Sequence, residues 1–402
     1  MAFKLHYYLP LTLFLVSFIA HVAVVQSASS SPSKWSSKQR EAADYDKWLS
    51  WNLENYRTQT TMVSELRSSR NRSGGSGGAR ESTKEGVSGV VDEALKKAEM
   101  NKMNISVGQD GTADFTTITE ALNSIPPPNT RRVILTIKPG VYREKITIPK
   151  SLPFITLLGD GDEPPLITGN DTASVTGKDG KPLRTFQSAT VAVEANYFIA
   201  INLKVENTAP HEVGSRKGQA VAMRISGTKA AFYNCSFYGS QDTLYDHKGL
   251  HYFHNCFIQG SVDFIFGYGR SLYDGCYLNS TAKKVAWATA QKRSITSLES
   301  GFSFKDSVVT GSGHLYLGRA WGDYSRVVFS YTFMDNIVIP QGWSDWGDQK
   351  RDQKVYYGEY KCSGPGANLA GRVRWARMLT DEEAKPFIGT YYVQGDNWLI
   401  PS

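Results

Sequence analysis

The sequence is poor in the residues that most often announce a particular chemistry. Among 402 residues there are 4 cysteines with no C-x-x-C pair, and 7 histidines that do not cluster at ligand spacing, which argues against a zinc site. The formal charge of +7 is spread along the chain, so the basic track of a nucleic-acid binder is missing. A mildly basic surface suits an acidic polymer as partner, although solubility accounts for it as well. After residue 25 no stretch is long and apolar enough to span a bilayer. No helical segment of ten or more residues separates the strand-like units of the later chain, which excludes an alternating strand–helix sheet. What is present is a β composition, with 12% aromatic residues and 36 glycines.

The N-terminus carries the pattern of a secretory signal peptide over residues 1–27. Lys4 gives the charged start, residues 9–20 the apolar run, and residues 25–27 (VQS) a small-residue cleavage site. An uncleaved anchor is the alternative, because apolar character continues to Val25. Secretion makes the sequons at Asn71, Asn104, Asn170 and Asn279 candidate glycan sites. Asn234 is the weaker fifth, with Cys235 in its middle position on a strand expected to be buried. Residues 28–100 read as a flexible spacer around SSRNRSGGSGGARES, with Trp35, Trp48 and Trp51 able to form a short amphipathic helix. The GGSGG at 74–78 matches a nucleophile elbow formally, but no strand leads into it. Residues 101–402 are left as the main folded domain.

The stretch GSQDTLYDHKGLHYFHNCFIQGSVDFIFG, residues 239–267, organises that domain. Asp242 and Asp263 are 21 residues apart; Cys235 and Cys256 are also 21 apart, and each precedes its aspartate by seven. A repeated unit with an acid at one offset suggests successive coils of a solenoid. Parallel strands stack about 4.7–4.9 Å apart, so equivalent positions become neighbours. Two carboxyls that close cannot both ionise cheaply, and one should hold a proton near neutral pH.

Upstream, residues 115–125 (FTTITEALNSI) have helical spacing and stop at a triple proline, and residues 133–137 form a strand. Strand-like units then recur as FIAINLKV, AAFYNCSF, YFHNCFI, LYDGCYL, FSFKDSVV and YTFMDNIV. Aligning them places Leu203, Cys235, Cys256, Cys276, Ser307 and Asn336 at one inward position. Periods near 20 with longer insertions predict an all-β fold, a parallel β-helix. The three ladder cysteines read as buried free thiols, with a bridge between coils permitted by distance and compartment.

The strings GVYREKI (140–146), SATVAV (188–193), GQAVAMR (218–224), GSQDTLYDH (239–247), GSVDFIFG (260–267), TAQKR (289–293), YLGRAW (316–321) and YYGEYKCSGPGA (356–367) closely resemble the plant pectin methylesterases. The resemblance spans residues 104–402 in the family's motif order. It implies a right-handed parallel β-helix that hydrolyses galacturonate methyl esters of cell-wall pectin to methanol and pectate, with no metal or organic cofactor. By resemblance Asp263 is the nucleophile and Asp242 the general acid that turns base. Gln219 and Gln241 stabilise the oxyanion, Arg319 holds Asp263 ionised, and Trp321 and Phe264 line the sugar groove. It also implies a monomer in the cell wall or apoplast, with methylated homogalacturonan as partner, no nucleic acid, no membrane after signal cleavage, and proteinaceous pectinesterase inhibitors as a further partner class.

The departures from the family pattern carry expectations of their own. LGRPW has become LGRAW, so Ala320 should leave the loop of Arg319 and Trp321 less rigid. TAQGR has become TAQKR, which adds Lys292 near the groove. Ser307 stands where many relatives have a cysteine thought to pair with the one matching Cys276. Residues 28–100 are too short, and lack the cysteines, for the inhibitor-like pro-region of many relatives. The rival readings are a backbone-cleaving enzyme on the same solenoid, either polygalacturonase or lyase, and a non-catalytic wall-binding β-helix. The hydrolase would need further paired acids with a His, and the lyase an acidic calcium cluster; neither is evident near Asp242 and Asp263.

Overall fold

One coil of the fold can be followed through residues 230–250. A strand at Ala230–Tyr233 ends at Asn234, whose left-handed backbone (φ 52°) turns the chain into Ser236–Tyr238. A second corner at Asp242 (φ 66°) leads into Leu244–Asp246, and Gly249 returns the chain to the first face. The next coil repeats this 21 residues later, Phe232 opposite Phe253, Phe237 opposite Ile258 and Leu244 opposite Ile265. The computed structural model describes residues 92–210 and 218–399. Every strand-to-strand pairing among them is parallel, in one 11-stranded sheet and a second, 14-stranded one. This is the expected parallel β-helix.

The second sheet covers two faces of the coil, joined where the 15-residue strand Tyr277–Gln291 and the 12-residue strand Val308–Arg319 run around the corner. One of these faces positions the site. Its strands are β1 (Ile146–Ile148), β2 (Val191–Val193), β3 (Met223–Ile225), β4 (Leu244–Asp246), β5 (Val262–Gly267), β6 (Tyr277–Gln291), β7 (Val308–Arg319) and β8 (Trp343–Ser344). Ile146, Val191, Met223, Leu244, Ile265, Thr289, Gly318 and Trp343 occupy one register column across it.

Inside the coil, like residues stack on like. Phe232, Phe253, Tyr273, Phe304 and Phe329 form a file of nearly parallel rings with centroids 4.4–4.6 Å apart. The spacing is close to the rung spacing, so in-register strands deliver the offset contact that aromatic rings favour. The cysteine column is likewise inward and buried through Leu203, Cys235, Cys256, Cys276 and Ser307. Its next member is Thr332, not the expected Asn336, because Val308 pairs with Phe333; Asn336 is exposed four residues further on. The corner preceding each column residue is left-handed: Asn202, Asn234, Asn255, Gly275, Asp306, Tyr331 and Lys361. Asn, Gly and Asp signal such a corner in a sequence, whereas Tyr331 does not, which is why the alignment slipped there. The register then continues through the Phe333–Ser363 bridge to Cys362, so all four cysteines belong to the column. Their thiols are free, and Ser307 instead donates to the Lys305 carbonyl and accepts from the Cys276 N–H.

The predicted helix at 115–125 is shorter, α2 at Ile118–Asn123, since Phe115 pairs with the strand Met103–Val107 and its next residue through Ser106 and Gly108. Thr117 caps it by accepting from Glu120 N–H. Ile118, Ala121, Leu122 and Ile125 close one end of the core.

Within the stretch expected to be a spacer, the last residues are folded, with a helix α1 at Glu93–Met100. Leu95 and Ala98 are buried, and Glu99 takes a 2.8 Å hydrogen bond from Arg132 in a pair that is almost fully enclosed. Asp92 caps the helix, accepts from the Tyr197 hydroxyl and pairs with Lys229 at 2.9 Å. These partners, the Tyr197 hydrogen bond first, hold its carboxyl down at about 2. The polar face of this segment obscured its docking, because the buried contacts are few and charged. The signal segment, the spacer up to residue 91 and Asn71 lie outside the described residues. Asn234, expected to be buried, is exposed at its corner, as are Asn104 and Asn170. No described helix is long and apolar enough to cross a membrane.

The enclosed pair makes α1 part of the folded body. Glu99→Ala should leave Arg132 buried without its counter-charge and cost about 3 kcal/mol. A urea midpoint unchanged from wild type would show that α1 contributes nothing.

Candidate active site

The site follows from position within the coil. Gln241 bridges to Val262 and Leu244 pairs with Ile265, so Asp242 and Asp263 stand on adjacent rungs. Both are left-handed, at φ 66° and 50°, a conformation that aspartate tolerates better than most residues. The kink turns Thr243 and Phe264 inward while the carboxyls stay on the outer side. Two glycines frame the second turn. A Cβ on Gly260 would lie 2.2 Å from Phe264 Cβ, and Gly267 (φ 126°) would press one to 2.0 Å from the Asp246 carbonyl.

Both carboxylates are largely enclosed, 7% exposed at Asp242 and 6% at Asp263. Arg319, at the end of β7, reaches back to Asp263 with a fork: Nε donates to Oδ1 at 2.7 Å and Nη2 to Oδ2 at 2.5 Å. The Asp242 carboxyl has no hydrogen-bond partner among the described residues. Burial pushes both carboxyls above the usual carboxylate range. The charge on Asp263 drives Asp242 much higher, while the hydrogen bonds and charge of Arg319 restrain Asp263. The proton of the pair therefore belongs on Asp242.

Arg319 is itself held between two indoles. Its guanidinium carbon lies 4.4 Å from the Trp287 ring and 3.8 Å from the Trp346 ring. Neither tryptophan was anticipated from the sequence, although W-S-D-W at 343–346 was there to be read. Ala320, expected to leave this segment less rigid, donates its N–H to the Ser344 carbonyl at 3.0 Å, a bond proline cannot make. Its carbonyl accepts from Arg351 at 2.6 Å.

Of the other expected residues, Gln241 immediately precedes Asp242 and is half-buried. Gln219 enters β3 two residues ahead of Val221, the rung neighbour of Asp242, and its backbone carbonyl accepts from Ala173 N–H. Trp321 lies on an outward apolar strip with Ala189, Ala192, Val221, Tyr245, Phe266 and Ala290. Phe264 does not line that strip. It is 0% exposed and packs in the interior, because the left-handed turn at Asp263 points both Phe264 and Ile265 inward. Phe266 faces outward instead, stacked 4.2 Å on Tyr245 and 6.1 Å from Trp321.

Beside the strip runs a polar column. Ser226 Oγ lies 2.9 Å from His247 Nδ1, and the Tyr268 hydroxyl 3.0 Å from His247 Nε2. Burial first, then the charges of Arg224 and Lys248, lowers His247 to about 4, so the ring is neutral at ordinary pH. Arg224, which also donates to Ser226, is paired with Glu194 at 3.1 Å.

The pectinesterase family model matches residues 104–396, a span that includes both aspartates, Arg319 and the strip. The chain belongs to the pectinesterase family. Among its relatives, pectinesterase QRT1 of Arabidopsis thaliana is 46% identical over 299 residues, covering 73% of this chain and 78% of that protein. The solved pectin methylesterase from carrot superposes with a TM-score of 0.68 at 34% identity, over 73% of this chain and 94% of the carrot chain. A pectin methylesterase solved in complex with hexasaccharide VII gives a TM-score of 0.62 at 28% identity, over 72% and 96% of the two chains. The pectinesterase is thus a carboxylic ester hydrolase on a parallel β-helix.

The fork from Arg319 has a measurable signature in this pectinesterase. Arg319→Met removes the charge that keeps Asp263 ionised, so its pKa rises and the acidic limb of kcat/KM against pH moves to higher pH. The rate should fall about a hundredfold or more. Trp346→Ala, which frees one face of the guanidinium, should shift the limb the same way by less. An acidic limb unmoved in Arg319→Met would show that the arginine does not set the charge of the pair.

Proposed function

We propose that the protein demethylates pectin through an aspartyl acyl-enzyme. The observation that carries this reading is the pair of enclosed carboxyls on adjacent rungs, one forked by Arg319 and the other without a hydrogen-bond partner among the described residues. An ionised Asp263 attacks the ester carbonyl carbon of a methylated galacturonate unit. Negative charge gathers on the carbonyl oxygen, where the side-chain amides of Gln219 and Gln241 are the donors suited to receive it. As the bond to methoxy breaks, Asp242 gives its proton to the leaving oxygen and methanol departs. Asp242, now ionised, takes a proton from water as that water attacks the acyl-enzyme carbonyl; the anhydride opens, Asp263 is regenerated and the polymer gains a carboxylate. Trp321, Phe266 and Tyr245 offer the apolar surface for the sugar ring.

The same reading places the protein outside the cell, in the wall where its polymer lies, with residues 1–27 removed as a signal, residues 28–91 left as a spacer and surface sequons open to glycosylation. It acts as a monomer, and proteinaceous inhibitors that close the groove would be its natural regulators.

Asp263→Asn should abolish methanol release while pectin binding survives, since the amide is isosteric but not nucleophilic. Asp242→Asn should be severely impaired, because an amide cannot deliver a proton. Residual activity in Asp263→Asn above about a hundredth of wild type would sink the covalent route. Methanol release without loss of polymer viscosity separates this activity from backbone cleavage.

A further inference from the structure

The apolar strip carries one cation whose role is unaccounted for. Lys292 follows Ala290 of the strip by two residues, its N–H donates to the Gly267 carbonyl, and its ammonium lies 4.0 Å from the Trp321 ring centroid. Of the other cations around this face, Arg319 is committed to Asp263, Arg224 to Glu194, Lys145 to Asp171, and Arg293 to the carbonyls of Leu298 and Thr296, while Lys248 is exposed beside His247 and does not stack on the Trp321 ring. Among the described residues no carboxylate pairs with Lys292. It is half-buried, so the ammonium is held against the ring and not released to bulk solvent.

The reaction supplies a partner for such a charge. Each turnover converts a neutral methyl ester into a carboxylate that stays on the polymer, one sugar from the next ester. A methyl ester offers the ammonium only weak acceptors, whereas a galacturonate carboxylate offers a full opposite charge. We propose that Lys292 is a specificity-determining residue that binds the free carboxylate of an already demethylated unit next to the ester being hydrolysed, so that the enzyme extends existing acidic runs. This rests on the pectin methylesterase reading above. The Trp321 face then presents the sugar and Lys292 its acid group. Tyr268, the rung neighbour of Lys292, carries its hydroxyl at His247 and keeps the same wall polar.

The test compares two methyl-galacturonate hexamers, one fully esterified and one with a single free carboxylate beside an ester. Methanol release gives kcat/KM on each for wild type, Lys292→Gln and Lys292→Arg. Wild type should favour the acidic hexamer about fivefold, the scale of a partly exposed ion pair. Lys292→Gln should bring the ratio near one through KM, and Lys292→Arg should keep most of it. Raising ionic strength should shrink the wild-type ratio, a readout that needs no variant. An equal rate on both hexamers by active wild type, or an unchanged ratio in Lys292→Gln, would overturn this proposal alone. Wild type that released methanol from neither hexamer would overturn the parent reading and this one with it.

Discussion

Parallel strands stacked in register, about 4.8 Å from rung to rung, impose one rule on everything in this molecule: each residue meets the residue at the same place in the coil before and after. Where that residue is aromatic, the rule makes the file from Phe232 to Phe329. Where it is small and apolar, it makes the cysteine column. Where it is aspartate, it forces two carboxyls together against their mutual repulsion. The stacking that stabilises the interior is thus the same constraint that creates the strained pair on the outside. No separate device is needed to bring the carboxyls into range.

The enclosed pair is tolerable only because it is not symmetric. Two anions at that separation in a place with little water would be expensive. A bidentate guanidinium on one of them, and a proton on the other, leaves a single neutralised charge and a neutral acid. Stacking between Trp287 and Trp346 limits the freedom of Arg319 to leave Asp263. The indoles therefore bear on the carboxyl pair through the arginine, at one remove from Asp263 itself.

The repeat was legible in the sequence because the corners are marked by Asn and Gly and the matched aspartates share an offset. Both carboxylates could be named from the repeat itself, and Arg319 and the strip tryptophan from the family resemblance. Three things could not. Tyr331 occupies a left-handed corner without the composition that signals one, so Thr332 was missed. Phe264 and Phe266 differ only in which way the chain faces after Asp263, and a single kink decides that. The helix at Glu93–Met100 is docked by Asp92, Glu99, Lys229 and Arg132, and a mostly charged segment reads as solvated whether or not its partners lie far along the chain.

The fork to Asp263 comes from a residue 56 positions later in the chain. During synthesis both aspartates leave the ribosome first, and two further coils must wind on before their cation arrives. Until then Asp263 has no counter-charge, so the asymmetry that assigns the proton within the pair is a property of the finished winding and of no single coil.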